Sequence, residues 1–233
     1  MRSCWSKRFI GSERTRQWVW MGSPRYLHYA LDEWFLRDVV PRMEGLAKLV
    51  RYADDFVMVF ENEEDARRVM RVLPQRLDRY GLRLSPKKTR LIPFQRPSDC
   101  DGKGPSTFDF LGFTWHWGRK YRTWTVCVKT RVGRMVSALA AISEWCRRHR
   151  HDSVREQHHG LTRRLRGHFN YFAVTTNGKQ VWRLLYWVTR IWKRWLARRS
   201  QRSRMSWARF QAIERALPLP RPKLKPLLRM SAS

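Results

Sequence analysis

The stretch LAKLVRYADDFVMVF, residues 46–60, decides how this chain is read. Two apolar, β-favouring runs flank a pair of aspartates, the pattern of an antiparallel hairpin with Asp54 and Asp55 at or near its turn. Adjacent carboxylates there can offer oxygen ligands to hard divalent cations, which two-metal phosphoryl transfer requires. The plainer use of Asp-Asp is turn chemistry. Context favours the first use: strand, YADD, strand, an acidic helix start at residues 61–65, then the basic turn SPKKTR.

Outward from the hairpin, residues 25–39 carry Tyr26, Leu27, Ala30, Leu31, Trp34 and Phe35 at helical spacing, with Pro41 as the stop. Residues 1–24 are irregular and receive no element. After the hairpin, Ala66, Val69, Met70, Leu73 and Leu77 predict a helix, bent at Pro74 and ended by Gly81. Leu82, Leu84, Leu91, Ile92 and Phe94 predict short strands, and a Pro/Gly/Asp-rich loop covers 97–105. Residues 108–117 and 121–130 predict a second hairpin with Gly118 in its turn. Past residue 131 the pattern is helical: one stripe of Val132, Met135, Val136, Leu139, Ile142 and Trp145; a helix marked by Leu161, Leu165, Phe169 and Phe172 and closed by Asn177-Gly178; and a stripe from Val181 to Trp195. The expectation is an α+β chain: an unassigned segment (1–24), a hairpin-and-helix unit (25–130), a three-helix bundle (131–217) and a Pro-rich, extended basic tail (218–233).

Composition narrows the partners. The 233 residues hold 49 Lys+Arg against 19 Asp+Glu, a net charge of +30 on a chain with 13 Trp, so a folded protein with a polyanionic partner is expected. The charge is uneven: residues 1–130 balance to +10, whereas residues 131–233 hold 24 basic and only 4 acidic side chains. Arginine outnumbers lysine 38 to 11, which suits bidentate phosphate contacts and stacking on bases; a GC-rich genome is the bland source of the same bias. No apolar run is long enough for a membrane span, and the basic N-terminus has no apolar stretch behind it to make a secretory signal. Cys4, Cys100, Cys127 and Cys146 are scattered, which argues against structural zinc and fits a reducing cytoplasm.

Five blocks, in order, resemble the reverse transcriptases encoded by bacterial group II introns. YLHYALDEWF (26–35) is similar to the helix before their catalytic hairpin, and LVRYADDFVMVF to the palm motif with metal-binding aspartates. LRLSPKKTRLIPF holds Lys88 at the position of a lysine that approaches the active site. FDFLGFTWHW holds Leu111-Gly112 where the family has part of its primer grip. LRGHFNYFAVTTN (165–177) resembles the maturase (thumb, X) signature. The resemblance implies a partial reverse-transcriptase palm followed by a maturase bundle. Asp54 and Asp55 would hold Mg²⁺, Lys88 would be catalytic, and Tyr52, Ala53, Leu111 and Gly112 would lie near primer and nucleotide. The family also has blocks upstream, one with an essential aspartate on a neighbouring palm strand. The two dozen residues before the first block show no strand ending in Asp, and Asp32 and Asp38 read as charged helix residues.

The expectation is therefore a truncated reverse transcriptase–maturase whose polymerase is inactive in this chain alone, with a separately encoded N-terminal fragment as a candidate partner. Structured intron RNA would be bound by Arg147, Arg148, Arg163, Arg164, Arg166, Arg190, Lys193, Arg194, Arg198 and Arg199, with Tyr171 and Trp207 placed to stack on bases. The rivals are a non-enzymatic RNA-binding protein and a decayed mobile-element relic, the latter left with an exposed sheet edge where palm strands are missing.

Overall fold

The computed structural model describes residues 5–10, 24–86, 88–97, 106–120, 123–199 and 205–227. Two compact units divide the chain, one ending at Val126 and the other beginning at Cys127.

The first unit is built on two antiparallel sheets. Strands β1 (Trp5–Ile10), β2 (Ala47–Tyr52), β3 (Asp55–Phe60) and β4 (Arg90–Ile92) form a sheet of order β2-β3-β1-β4. Here the sequence expectation needs correction, because residues 1–24 do contain an element. Strand β1 pairs with β3 from Trp5↔Phe60 to Ile10↔Asp55 and with β4 from Ser6↔Ile92 to Arg8↔Arg90. The backbone pairing of β3 and β4 holds it, whereas WSKRFI by itself offers little apolar alternation to read. The sheet edges are consequently β2 and β4, and β3 is paired on both sides.

A helical layer covers one face of this sheet. Helix α1 (Pro24–Leu27) runs on as π-helical turns at His28–Glu33 and Phe35–Val39 and ends in a 3-10 turn at Val40–Arg42 that includes Pro41. Leu31, Trp34 and Phe35 bury against Phe56, Met58 and Phe60 of β3 and against Val69, Leu73 and Leu77 of α2 (Glu63–Asp78). Pro74 lies inside α2, and Gly81, in the left-handed region at φ +65, turns the chain after it. Residues 82–84 contribute only a single β-bridge at Leu84, and the strand that forms after α2 is β4. The second sheet contains β5 (Phe108–Phe110), β6 (Phe113–Lys120) and β7 (Thr123–Thr130), in that order. Its first hairpin turns at Leu111-Gly112, both left-handed at φ 50 and 77, so Gly118 lies within β6 and not in a turn. Two successive positive φ values are what a two-residue primed turn demands.

The second unit is helical: α3 (Val132–Arg148), α4 (Val154–Phe172), α5 (Gly178–Ala197) and α6 (Trp207–Ala216). The sequence reading had three helices. Helix α6 is added by its Ser206 cap, which accepts from the Arg209 amide, and by Phe210, which is fully buried. Helix α4 starts with a capping box between Ser153 and Glu156. Helix α5 supplies the axis of the core with Val181, Leu184, Val188, Trp192 and Leu196, while Val132 and Val136 of the expected α3 stripe stay exposed. Residues 218–227 are not a free tail. Leu219 enters the core, and Lys225 pairs with the chain between α4 and α5, its amide donating to Ala173 and its carbonyl accepting from Thr175.

Asn177 does not close α4; it precedes α5 with its side chain buried. Its Oδ1 accepts from the Thr130 amide at 2.7 Å, and its Nδ2 donates to Thr130 Oγ1 and Phe172 O, both at 2.8 Å. Three bonds from one buried amide tie the end of β7 to the α4–α5 junction. Asn177→Ala should therefore destabilise the protein by about 2–3 kcal/mol, because buried partners are left unpaired. Asn177→Asp should not rescue it, since a carboxylate cannot donate to Phe172 O. Urea unfolding of the full chain followed by Trp fluorescence measures both.

Candidate catalytic hairpin and nucleic-acid interface

The hairpin places its aspartates by register. Tyr52 pairs with Asp55, which leaves Ala53-Asp54 as a two-residue turn with Ala53 left-handed at φ 54. Side chains alternate across a strand, so Ala47, Leu49 and Arg51, together with their partners Phe60, Met58 and Phe56, face the helical layer. Tyr52 and Asp55 face the other way, and Tyr52 is 67% exposed.

Arg51, the last inward position of β2, is the residue that the sequence reading missed. Its Nε and Nη2 donate to the two Asp32 oxygens at 2.8 and 2.5 Å, and its Nη1 donates to Ala53 O at 2.9 Å. One guanidinium thus fastens the left-handed turn to the helix. A cation at an inward position of a strand was the available signal, since it requires a nearby acid. Burial raises the Asp32 carboxyl, but hydrogen bonding and charge from Arg51, with His28, outweigh it and hold Asp32 below its ordinary value. Asp38 is a surface residue paired with Arg42 at 3.6 Å.

Asp54 and Asp55 accept no side-chain hydrogen bond or ion pair among the described residues. The register neighbours of Asp55 are Tyr52 on β2 and Ile10 on β1, neither of them acidic. Asp32 serves the opposite face. Among the described residues no group of three or more His, Cys, Asp and Glu gathers to hold a metal. Two carboxylates can supply oxygen ligands to one hard cation, but not the donor set of a two-metal site. The expected Mg²⁺ is thus met by a partial ligand set.

Lys88 is exposed in the turn after α2, where its amide and that of Thr89 donate to Ser85 O at 3.1 and 3.0 Å. The β1–β4 pairing ends at Arg8↔Arg90, so Lys88 lies in the turn just before β4 and outside the ladder. Leu111-Gly112 sits at the tip of a hairpin in the other sheet, and among the described residues no backbone pairing joins it to the aspartates.

In the helical unit, the arginines expected to meet RNA divide by what they already touch. Arg199 donates to the Arg150 and Asp152 carbonyls and so ties down the α3–α4 turn. Arg164 lies 4.2 Å over the Trp145 ring and donates to Gly160 O, and burial lowers its pKa. Glu144 clamps Arg147 and Arg148 at 2.8 and 2.9 Å and is itself held down at about 2 by those bonds. Arg194 reaches Ser143 at 3.3 Å, and Arg198 lies over Trp195. Arg163 and Arg166 are exposed with no ion-pair partner among the described residues. Arg190 and Lys193 gather at Trp207, and Tyr171 is half exposed. The reading also missed Trp182, Tyr186 and Trp187, exposed on α5 in a run whose other Trp residues are core.

Residues 23–115 match the family model for reverse transcriptase (RNA-dependent DNA polymerase). The match takes in the helix, the YADD hairpin, α2, β4 and the start of the second sheet. No curated protein matches the chain.

The Asp32–Arg51 pair has a pH signature. The folded-state carboxyl is depressed, so the pair's contribution is complete above the ordinary carboxyl value of 3.8 and is lost as pH falls through the lower folded value. Asp32→Asn should cost about 2 kcal/mol at pH 6. It should also flatten the loss of stability between pH 4 and 2.5 relative to the parent, read from urea midpoints across that range.

Proposed function

We propose that this chain is a group II intron type reverse transcriptase–maturase component that works by binding structured RNA through its helical unit, with polymerase activity silent in this chain alone. The observation that carries the reading is the +20 balance of residues 131–233 beside a reverse-transcriptase match over residues 23–115. Four acids cannot neutralise twenty-four cations, and the uncommitted guanidiniums of Arg163 and Arg166 are suited to track a phosphate backbone. In the full reaction Asp54 and Asp55 would hold divalent metal, with Lys88 and Leu111-Gly112 near nucleotide and primer. A separately encoded fragment bearing a further carboxylate would be the natural complement.

Structured RNA should bind at sub-micromolar strength in low salt and weaken by roughly three orders of magnitude between 50 and 200 mM salt, as expected for about six phosphate contacts. Arg163→Glu with Arg166→Glu should weaken it far more than Arg67→Glu with Arg71→Glu, because Arg67 is already paired with Glu63. Filter binding equal for the two pairs would overturn the assignment to the helical unit.

On an RNA template the purified chain should give no primer extension with Mg²⁺ or Mn²⁺, because Asp32 is bound to Arg51 on the face opposite Asp55. Extension by the chain alone, abolished by Asp54→Ala, would overturn the silent-polymerase reading.

A further inference from the structure

We propose that the outer face of α5, with Trp207 of α6, is a stacking platform for the unpaired bases of single-stranded RNA. The inference rests on the reading of the helical unit as RNA-binding, and it adds which face is used and which part of the RNA is held.

Helix α5 has two unlike sides. Val181, Leu184, Val188, Trp192 and Leu196 are fully buried. At about 100° per residue, Trp182, Tyr186, Trp187, Arg190 and Arg194 fall together on the opposite side, within an arc of roughly 140° and a length of about 18 Å. Trp182, Tyr186 and Trp187 are 45%, 52% and 41% exposed, and Trp207 is 47% exposed. Large aromatics left in water over such a stretch need a reason, since surfaces ordinarily keep them few. Cations are set among them. The Arg190 guanidinium lies 5.0 Å from the Tyr186 ring and 5.5 Å from the Trp207 ring, and Lys193 Nζ lies 4.4 Å from the Trp207 ring. Helix α5 contains no acidic residue to answer these charges.

The occupant that fits has flat apolar faces and negative charge along its rim. Unpaired nucleotides offer both, whereas a duplex stacks its base faces out of reach. A second copy of the chain would set these cations against themselves, at like-charge cost. An apolar protein helix would cover the rings and leave Arg190 and Lys193 desolvated without a partner.

The test uses the full chain and two fluorescein-labelled RNAs, a 20-nucleotide U-rich strand and a blunt duplex, titrated by anisotropy over a salt series. Trp182→Ala with Trp187→Ala should weaken the single strand about tenfold or more at every salt concentration, leaving both the salt slope and duplex binding unchanged. Trp187→Phe should keep most of the affinity. Arg190→Ala should instead shallow the slope by somewhat less than one unit. The proposal is overturned if the double variant binds the single strand like the parent, or if it weakens both RNAs equally. It is also overturned if the variant changes only the sedimentation behaviour, which would mean that another copy or protein covers the face. A parent chain that binds neither RNA overturns the RNA-binding reading itself, whereas unchanged duplex binding with a neutral double variant overturns this inference alone.

Discussion

The guanidinium of Arg51 is where the helix, the sheet and the turn of the first unit meet. An arginine 16% exposed on the inward face of β2 has to be answered by a carboxylate, and Asp32 answers it with both oxygens. That pairing fixes the helix at Asp32 against the strand at Arg51. The remaining nitrogen takes the Ala53 carbonyl and so steadies a non-glycine residue in the left-handed region, a conformation that costs roughly 1–2 kcal/mol. The Asp32 bonds also set which face of the sheet each carboxylate serves. Because strands alternate with period two, satisfying Arg51 commits Asp32 to one face of the sheet while Asp55 stands on the other.

The second unit meets a different constraint, which is to hold a strongly basic surface around a dry core. Two buried amides are bonded at opposite ends of α4: Gln157 donates to His149 O at 2.7 Å and accepts from Trp192 Nε1 at 3.0 Å, and Asn177 bonds Thr130 and Phe172 O. Close packing of α3 on α4 is set by Gly160, where a Cβ would stand 2.4 Å from the Trp145 ring. Arg164 and His149 cover that same ring. Some cations are thereby used in the architecture, and the rest repel one another across the surface. Such a unit gains stability from any polyanion that binds its folded form.

Periodicity made much of this visible in the sequence. The apolar runs at 46–51 and 56–60, the acidic start and Gly81 stop of α2, and the Val181–Trp195 stripe all fold as their spacing predicts. What was hidden depended on partners distant in the chain. Strand β1 is defined by β3 and β4 and not by its own pattern, and Asn177 is buried because Thr130 comes to it. Helix α6 and the docking of residues 218–227 follow from Phe210 and Leu219 finding a core built elsewhere. The Leu111-Gly112 turn was misplaced because a leucine at positive φ gives no turn signal of its own. At the candidate site the aspartates were plain, whereas the ties of Arg164 and Arg199 to ring and carbonyl were invisible, because a basic residue reads the same in sequence whether it caps a turn or faces water.

The sheet register also limits how the aspartate pair could ever be completed. Asp55 has two lateral neighbours, Tyr52 on β2 and Ile10 on β1, and both places are filled by residues that cannot ligate a hard cation as carboxylates do. Asp54 lies in the turn, where no strand flanks it. A further carboxylate must therefore arrive at the Ile10 position or reach in from a loop; the helical layer cannot supply it, since it covers the other face.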